Sequence, residues 1–173
     1  MKKLTLLAAL CAGIAAAPAA ATFTLTNSAG GDGFVVINSP TVFTLFSGND
    51  GTGNNVTSFT TTAAAATTIS GKWRYYTFDV DGSSFDPAGF LLNGVRTQLT
   101  TNGIPRPAFQ TGTFSFAVNA GDSYGFFVRT TDGALGRGVM TIGAVPEPQS
   151  WVMLIAGFGL VGAAARRRSA VAA

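Results

Sequence analysis

Histidine is absent from the chain, cysteine and glutamate occur once each, and charged residues of all kinds make up only 11% of it. Without histidine or a cluster of cysteines, the usual zinc ligands and the usual proton-transfer base are missing. Aspartates are the only acids before Glu147. A pair of them at the right separation would suffice for glycoside hydrolysis, but no spacing singles out a pair, and the segment concerned leaves little room for a substrate cleft. An enzyme is not expected. The one cysteine, Cys11, lies in an apolar stretch near the amino terminus, so disulfide and thiol chemistry are excluded downstream. A lipid-modified cysteine would need a small residue just before it, and Leu10 stands there.

The formal net charge of +3 looks like a hint of acidic partners, yet five of the eleven basic residues are Lys2, Lys3, Arg166, Arg167 and Arg168 at the two ends. Between Thr22 and Val145 there remain Lys72, Arg74, Arg96, Arg106, Arg129 and Arg137. These six face seven aspartates, leaving −1. Nothing there resembles the basic patch that nucleic-acid binding needs, and nucleic acid is rejected as a partner.

The ends have an order of their own. Lys2 and Lys3 precede an apolar stretch over residues 4–17, and Ala19, Ala20 and Ala21 offer small residues for cleavage, so residues 1–21 read as an export signal cut after Ala21. At the other end Pro146-Glu147-Pro148 is followed by an uncharged run over 150–165, opened by Trp151, and then by Arg166-Arg167-Arg168. Prolines hold their neighbourhood extended, as a processing enzyme requires. A helix over 150–165 would span about 24 Å, short against a hydrocarbon core of about 30 Å. Snorkelling arginines at one end and an interfacial tryptophan at the other cover the mismatch. Basic flanks stay cytoplasmic, which puts residues 169–173 inside and 22–145 outside.

The stretch PEPQSWVMLIAGFGLVGAAARRR, from Pro146 to Arg168, resembles the PEP-CTERM sorting signal of Gram-negative bacteria, in a variant with tryptophan shortly after PEP. The resemblance implies an exosortase-type membrane protease as a partner, and an organism that makes extracellular polysaccharide. It also implies that Pro146, Glu147, Pro148, Trp151, Gly157, Gly159, Arg166, Arg167 and Arg168 carry the sorting information. Such tails are addresses, and what precedes them varies widely. Gly157-Phe158-Gly159-Leu160-Val161-Gly162 also matches the dinucleotide pattern GxGxxG, but that fingerprint needs a preceding strand and a following βαβ unit. Within an anchor the same glycines serve close helix approach, with Gly159 and Ala163 spaced small-xxx-small.

Residues 22–145 suffice for one domain with a single core. Their texture of Thr, Ser, Gly and Phe points to β-structure, the one helix-favouring stretch being 63–66. Strands are expected at 23–26, 34–37, 42–46, 56–62, 73–80, 90–92, 95–100, 113–118, 124–130 and 139–142. Phe114, Phe116 and Val118 alternate with Ser115 and Ala117, as do Tyr124, Phe126 and Val128 with Gly125, Phe127 and Arg129, which is the pattern of strands with one buried face. Asn93-Gly94 predicts a type I′ hairpin, and Gly121-Asp122 and Asp132-Gly133 punctuate later strands. The expected class is an all-β antiparallel sandwich of jelly-roll type. The run from Ser83 to Ile142 resembles the β-sandwich ectodomains that recur among PEP-CTERM substrates, a type that brings no established activity with it.

Within the expected strand 73–80, Trp73 and Tyr75 share one face while Tyr76, Phe78 and Val80 share the other, so a β-bulge near Tyr75 is expected. Clustered rings on a sandwich admit a carbohydrate reading, because sugar faces stack on rings. They equally fill a core, which would leave at most Tyr75 or Trp73 for a ligand. Asp79, Asp81 and Asp86 fall within eight residues and could offer calcium its oxygen ligands, with Asn93 as a further candidate. The spacing lacks the rest of an EF-hand loop, and turn aspartates at a strand end are the ordinary alternative. No other cofactor is indicated.

Two functions follow as expectations: an exported, non-enzymatic surface or extracellular-matrix protein sorted by its tail, and a small carbohydrate-binding module, calcium-supported or not, for extracellular polysaccharide. A single-pass membrane protein that keeps its tail is the third possibility. It is told apart by the mass of the mature chain.

Overall fold

The computed structural model describes residues 22–144 and, in the tail, residues 157, 158 and 161. Ten strands form in chain order: β1 (Thr24–Asn27), β2 (Phe34–Ser39), β3 (Val42–Phe46), β4 (Val56–Thr62), β5 (Thr67–Thr77), β6 (Ala88–Leu92), β7 (Val95–Gln98), β8 (Gln110–Val118), β9 (Ser123–Arg129) and β10 (Gly138–Ala144). Each overlaps one segment expected from the sequence. They pair antiparallel throughout, into a five-stranded sheet of order β1-β4-β9-β6-β7 and a second of order β2-β3-β10-β5-β8. From β3 onward the chain passes repeatedly from one sheet to the other, giving β3-β10-β5-β8 facing β4-β9-β6-β7, the wrapped order of a jelly roll. β1 and β2 extend one edge of each sheet.

The core lies between the inner faces. Leu45, Trp73, Tyr75, Phe114, Met140 and Ile142 come from one sheet, and Phe59, Ala88, Phe126 and Val128 from the other. The rings meet across the gap: Phe90 stacks on Phe116 with centroids 4.3 Å apart, and Phe114 meets Phe126 edge-on at 4.9 Å. Each buried ring contributes about 1.5–3 kcal/mol by leaving water, and the pair geometry adds to that. Rings of this size need room on the neighbouring strand. Gly112 lies opposite Trp73, and Gly71 opposite Phe114; a Cβ would come within 2.8 Å of the Trp73 ring at the first and 2.5 Å of the Phe114 ring at the second.

β5 departs from expectation. Its register runs unbroken against β8, from Thr67 opposite Val118 to Tyr75 opposite Gln110, and unbroken against β10. There is no bulge at Tyr75. The strand starts earlier and ends at Thr77, so Gly71, Trp73, Tyr75 and Thr77 point inward in strict alternation. The apparent change of phase arises because Phe78 and Val80 are beyond the strand, 56% and 53% exposed. The one register shift in this sheet falls between Ile37 and Ser39 of β2. Residues 63–66 form a bend between β4 and β5. The Asn93-Gly94 turn is as expected, with φ of 49° and 79°, both in the region a type I′ turn requires.

The two ends of the sandwich differ. Loops 28–33, 47–55, 78–87, 99–109 and 130–137 all emerge at one end, whereas the other end carries the short turns 40–41, 63–66, 93–94 and 119–122. The chain enters β1 and leaves β10 at the short-turn end. Residues 157, 158 and 161 are helical. No helix among the described residues is long and apolar enough to cross a membrane. The expected export signal at 1–21 and most of the expected span at 150–165 lie outside the described residues.

Candidate functional site

The outer face of the β1-β4-β9-β6-β7 sheet carries a groove of about 580 Å³ lined by Ser28, Asn54, Val56, Ser58, Leu91, Gly94, Arg96 and Arg129. Alternation puts these residues there: Phe126 and Phe90 point into the core, so Gly125, Phe127 and Arg129 on β9 and Gly89 and Leu91 on β6 face outward. The glycines allow the neighbouring strands to come close. A Cβ at Gly125 would lie 2.2 Å from the Phe59 carbonyl oxygen, and one at Gly89 2.0 Å from that of Thr97. The main chain of the neighbouring strand thus passes close by at these two positions, and neither has room for a side chain.

Two guanidinium groups sit in this groove on neutral supports. Arg129 donates from Nε and Nη2 to Asn54 Oδ1, at 3.2 and 2.6 Å. Asn54 adopts φ of 59°, a left-handed conformation that asparagine tolerates better than most residues. Arg96 lies over the ring of Phe127, its guanidinium carbon 6.0 Å from the centroid, and Phe127 is only 3% exposed although it faces outward. No carboxylate lines the groove. Among the described residues the one ion pair joins Arg137 and Asp32, elsewhere on the molecule.

The three aspartates singled out in the sequence occupy the loop-rich end and have different environments. Asp86 is fully buried and takes two hydroxyl donors, Ser47 Oγ to Oδ1 at 2.9 Å and Thr77 Oγ1 to Oδ2 at 2.7 Å. Its main-chain carbonyl accepts from the Tyr75 hydroxyl at 2.8 Å. Burial pushes the Asp86 carboxyl up to about 7 against the pull of the two hydroxyls, with Asp79 and Asp132 adding repulsion. Asp79 is also buried and raised by desolvation; its Oδ1 accepts from the Asp81 amide at 2.7 Å, and its Oδ2 has no partner among the described residues. Asp81 is exposed. Among the described residues no three acidic, histidine or cysteine side chains group so as to hold a metal ion. Asn93 is at the opposite end, where it donates to Asp122 Oδ1 and accepts from the Ser123 amide.

Trp73 and Tyr75, the rings considered for a ligand, are 7% and 1% exposed and belong to the core. One aromatic group that does reach the surface is half-buried Tyr76 with exposed Phe78 and Phe109, Tyr76 being 5.1 Å from Phe78 and 5.8 Å from Phe109. Sequence reading also passed over Arg96 and Arg129. The available signal was parity: Arg129 shares the outward face of β9 with Gly125, and Arg96 follows outward Leu91 across the Asn93-Gly94 hairpin. Of the sorting residues, Gly157 is helical and exposed, and Pro146, Glu147, Pro148, Trp151, Gly159 and Arg166 to Arg168 lie outside the described residues.

The described part is thus a two-sheet antiparallel sandwich with an open polar groove on one outer face. Residues 144–168 match the family model for the PEP-CTERM protein-sorting motif. No curated protein matches the chain. Similar solved structures include a family 35 carbohydrate binding module from an environmental isolate, at 19% identity and TM-score 0.36, covering 75% of this chain and 96% of that one. Another is a family 35 carbohydrate binding module from Clostridium thermocellum, at 8% identity and TM-score 0.33, covering 70% of this chain and 98% of that one. A third is a module of that family from Cellvibrio japonicus Abf62, at 16% identity and TM-score 0.33, covering 72% and 95%. Likeness at this level assigns no ligand to this chain.

Proposed function

We propose that this is an exported, non-enzymatic surface or extracellular-matrix protein, sorted through residues 146–168 by an exosortase-type protease, whose outer-face groove engages extracellular polysaccharide. The observation that carries the sorting half is the family match over residues 144–168. Residues 1–21 then act as the export signal, 22–145 as the ectodomain, 150–165 as the membrane span and 169–173 as a cytoplasmic tail. Pro146 to Pro148 mark the processing region. The polysaccharide half is supported by the groove: hydroxyl, carboxamide and guanidinium donors gathered on one outer sheet face suit a ligand whose surface is mostly hydroxyl oxygens. A calcium-supported variant would assign the ion to Asp79, Asp81 and Asp86. The two hydroxyls already bonded to Asp86 weigh against it.

The test is the intact mass of the mature protein from a host that carries the sorting protease. The expected product lacks residues 1–21 and everything beyond the 146–148 region, and retention of Arg166 to Arg168 overturns the processing account. Polysaccharide binding by that product, measured with and without chelator, separates the variants: binding that survives chelation supports the groove, and its loss on chelation supports calcium.

A further inference from the structure

Resting on the polysaccharide reading, we infer that the groove selects an acidic, carboxylate-bearing polysaccharide, with Arg96 and Arg129 as its anion contacts. Both arginines are fixed in place without being neutralised. Arg129 spends its Nε and one Nη2 donor on the uncharged Asn54 Oδ1. A guanidinium has five N–H donors, so most remain for a ligand. Arg96 lies over the face of Phe127, a contact that supports the charge without using its N–H donors. A charge supported only by neutral groups, with no acid lining the groove, presents its full field to whatever enters.

Carboxylate is the anion that fits best, because the guanidinium fork pairs with its two oxygens in one plane. The placement of the two groups further selects a polymer. Arg129 is on β9 and Arg96 on β7, with β6 between them, so their strands are about 10 Å apart; Arg96 is level with Leu91 and Gly125, four residues from Arg129, which adds about 13 Å along the strand. A chain carrying charges several sugars apart can engage both at once, whereas a single acidic sugar engages one. The ectodomain as a whole is slightly acidic, six basic residues against seven aspartates, so general attraction to polyanions does not supply the binding. The groove must.

The experiment is affinity electrophoresis of the mature secreted product through gels containing polygalacturonate, dextran sulfate or neutral dextran. Polygalacturonate should retard it, dextran should not, monomeric galacturonate should compete poorly, and retardation should weaken with added salt as exposed charges are screened. Arg96→Gln and Arg129→Gln should each weaken binding by about tenfold or more, the usual scale for losing a charged hydrogen bond. Arg106→Gln, in the 99–109 loop, should leave it unchanged. An unaltered melting curve shows that each variant is folded. Equal retardation by dextran overturns the inference and leaves the polysaccharide reading standing. Retardation by dextran sulfate but not polygalacturonate overturns the carboxylate assignment, and binding that survives both arginine substitutions overturns the groove. Failure of all three polymers removes the polysaccharide reading itself.

Discussion

At the scale of single residues, Asp86 governs how stability responds to pH. Its carboxyl titrates at about 7 in the folded protein against a reference of 3.8, chiefly because burial penalises the charge. A raised value means that the folded state holds its proton more tightly, so the contribution to stability is complete below pH 3.8 and is lost as pH rises toward 7. Three units correspond to about 4 kcal/mol. Melting at pH 5 should therefore occur at a higher temperature than at pH 8, and Asp86→Asn should flatten the difference. A wild type more stable at pH 8 would refute this. Asp32, lowered first by its hydrogen bond from Arg137, acts in the opposite sense, its contribution being lost only as pH falls below the ordinary carboxylate range. The sequence drew attention to Asp86 by its closeness to Asp79 and Asp81. It could not show that Ser47, on a distant loop, and Thr77 had already claimed both oxygens. Hydroxyl donors carry no pattern that links them to an acid thirty-nine residues away.

At the scale of strands, alternation made most of the architecture readable. Phe114 and Val118 are buried and Ser115 and Ala117 exposed, as the period of two requires. β5 was misread because Phe78 and Val80 look like strand residues, although they follow the last ladder pair. The role of the strand glycines was not legible, since glycine in a strand signals a bend, a bulge or a close approach without saying which. Gly125 and Gly89 turn out to be close approaches to neighbouring main chain. Gly125→Ala should accordingly cost about 1–3 kcal/mol, the scale of overpacking that backbone must relieve. Urea unfolding of the variant checks this, and a midpoint equal to wild type would mean that the two strands part freely. Such a shift would also displace the strands that line the groove. Loss of polygalacturonate retardation in a folded Gly125→Ala protein is the companion expectation.

At the scale of the whole molecule, the sequence separated address from body more clearly than it described either one's activity. The tail was readable because its signals are contiguous: PEP, an uncharged run and three arginines in order. The groove was not, because Ser28, Asn54, Ser58, Arg96 and Arg129 come from four separate stretches and meet only once the jelly-roll order exists. The last ladder pair of the described sandwich is Ala144 opposite Gly71, just upstream of Pro146. A scission at 146–148 thus severs no cross-strand pair among the described residues. Detachment from the bilayer should leave the melting temperature of the ectodomain where it was, so that the liberated and tethered forms denature together in a thermal scan.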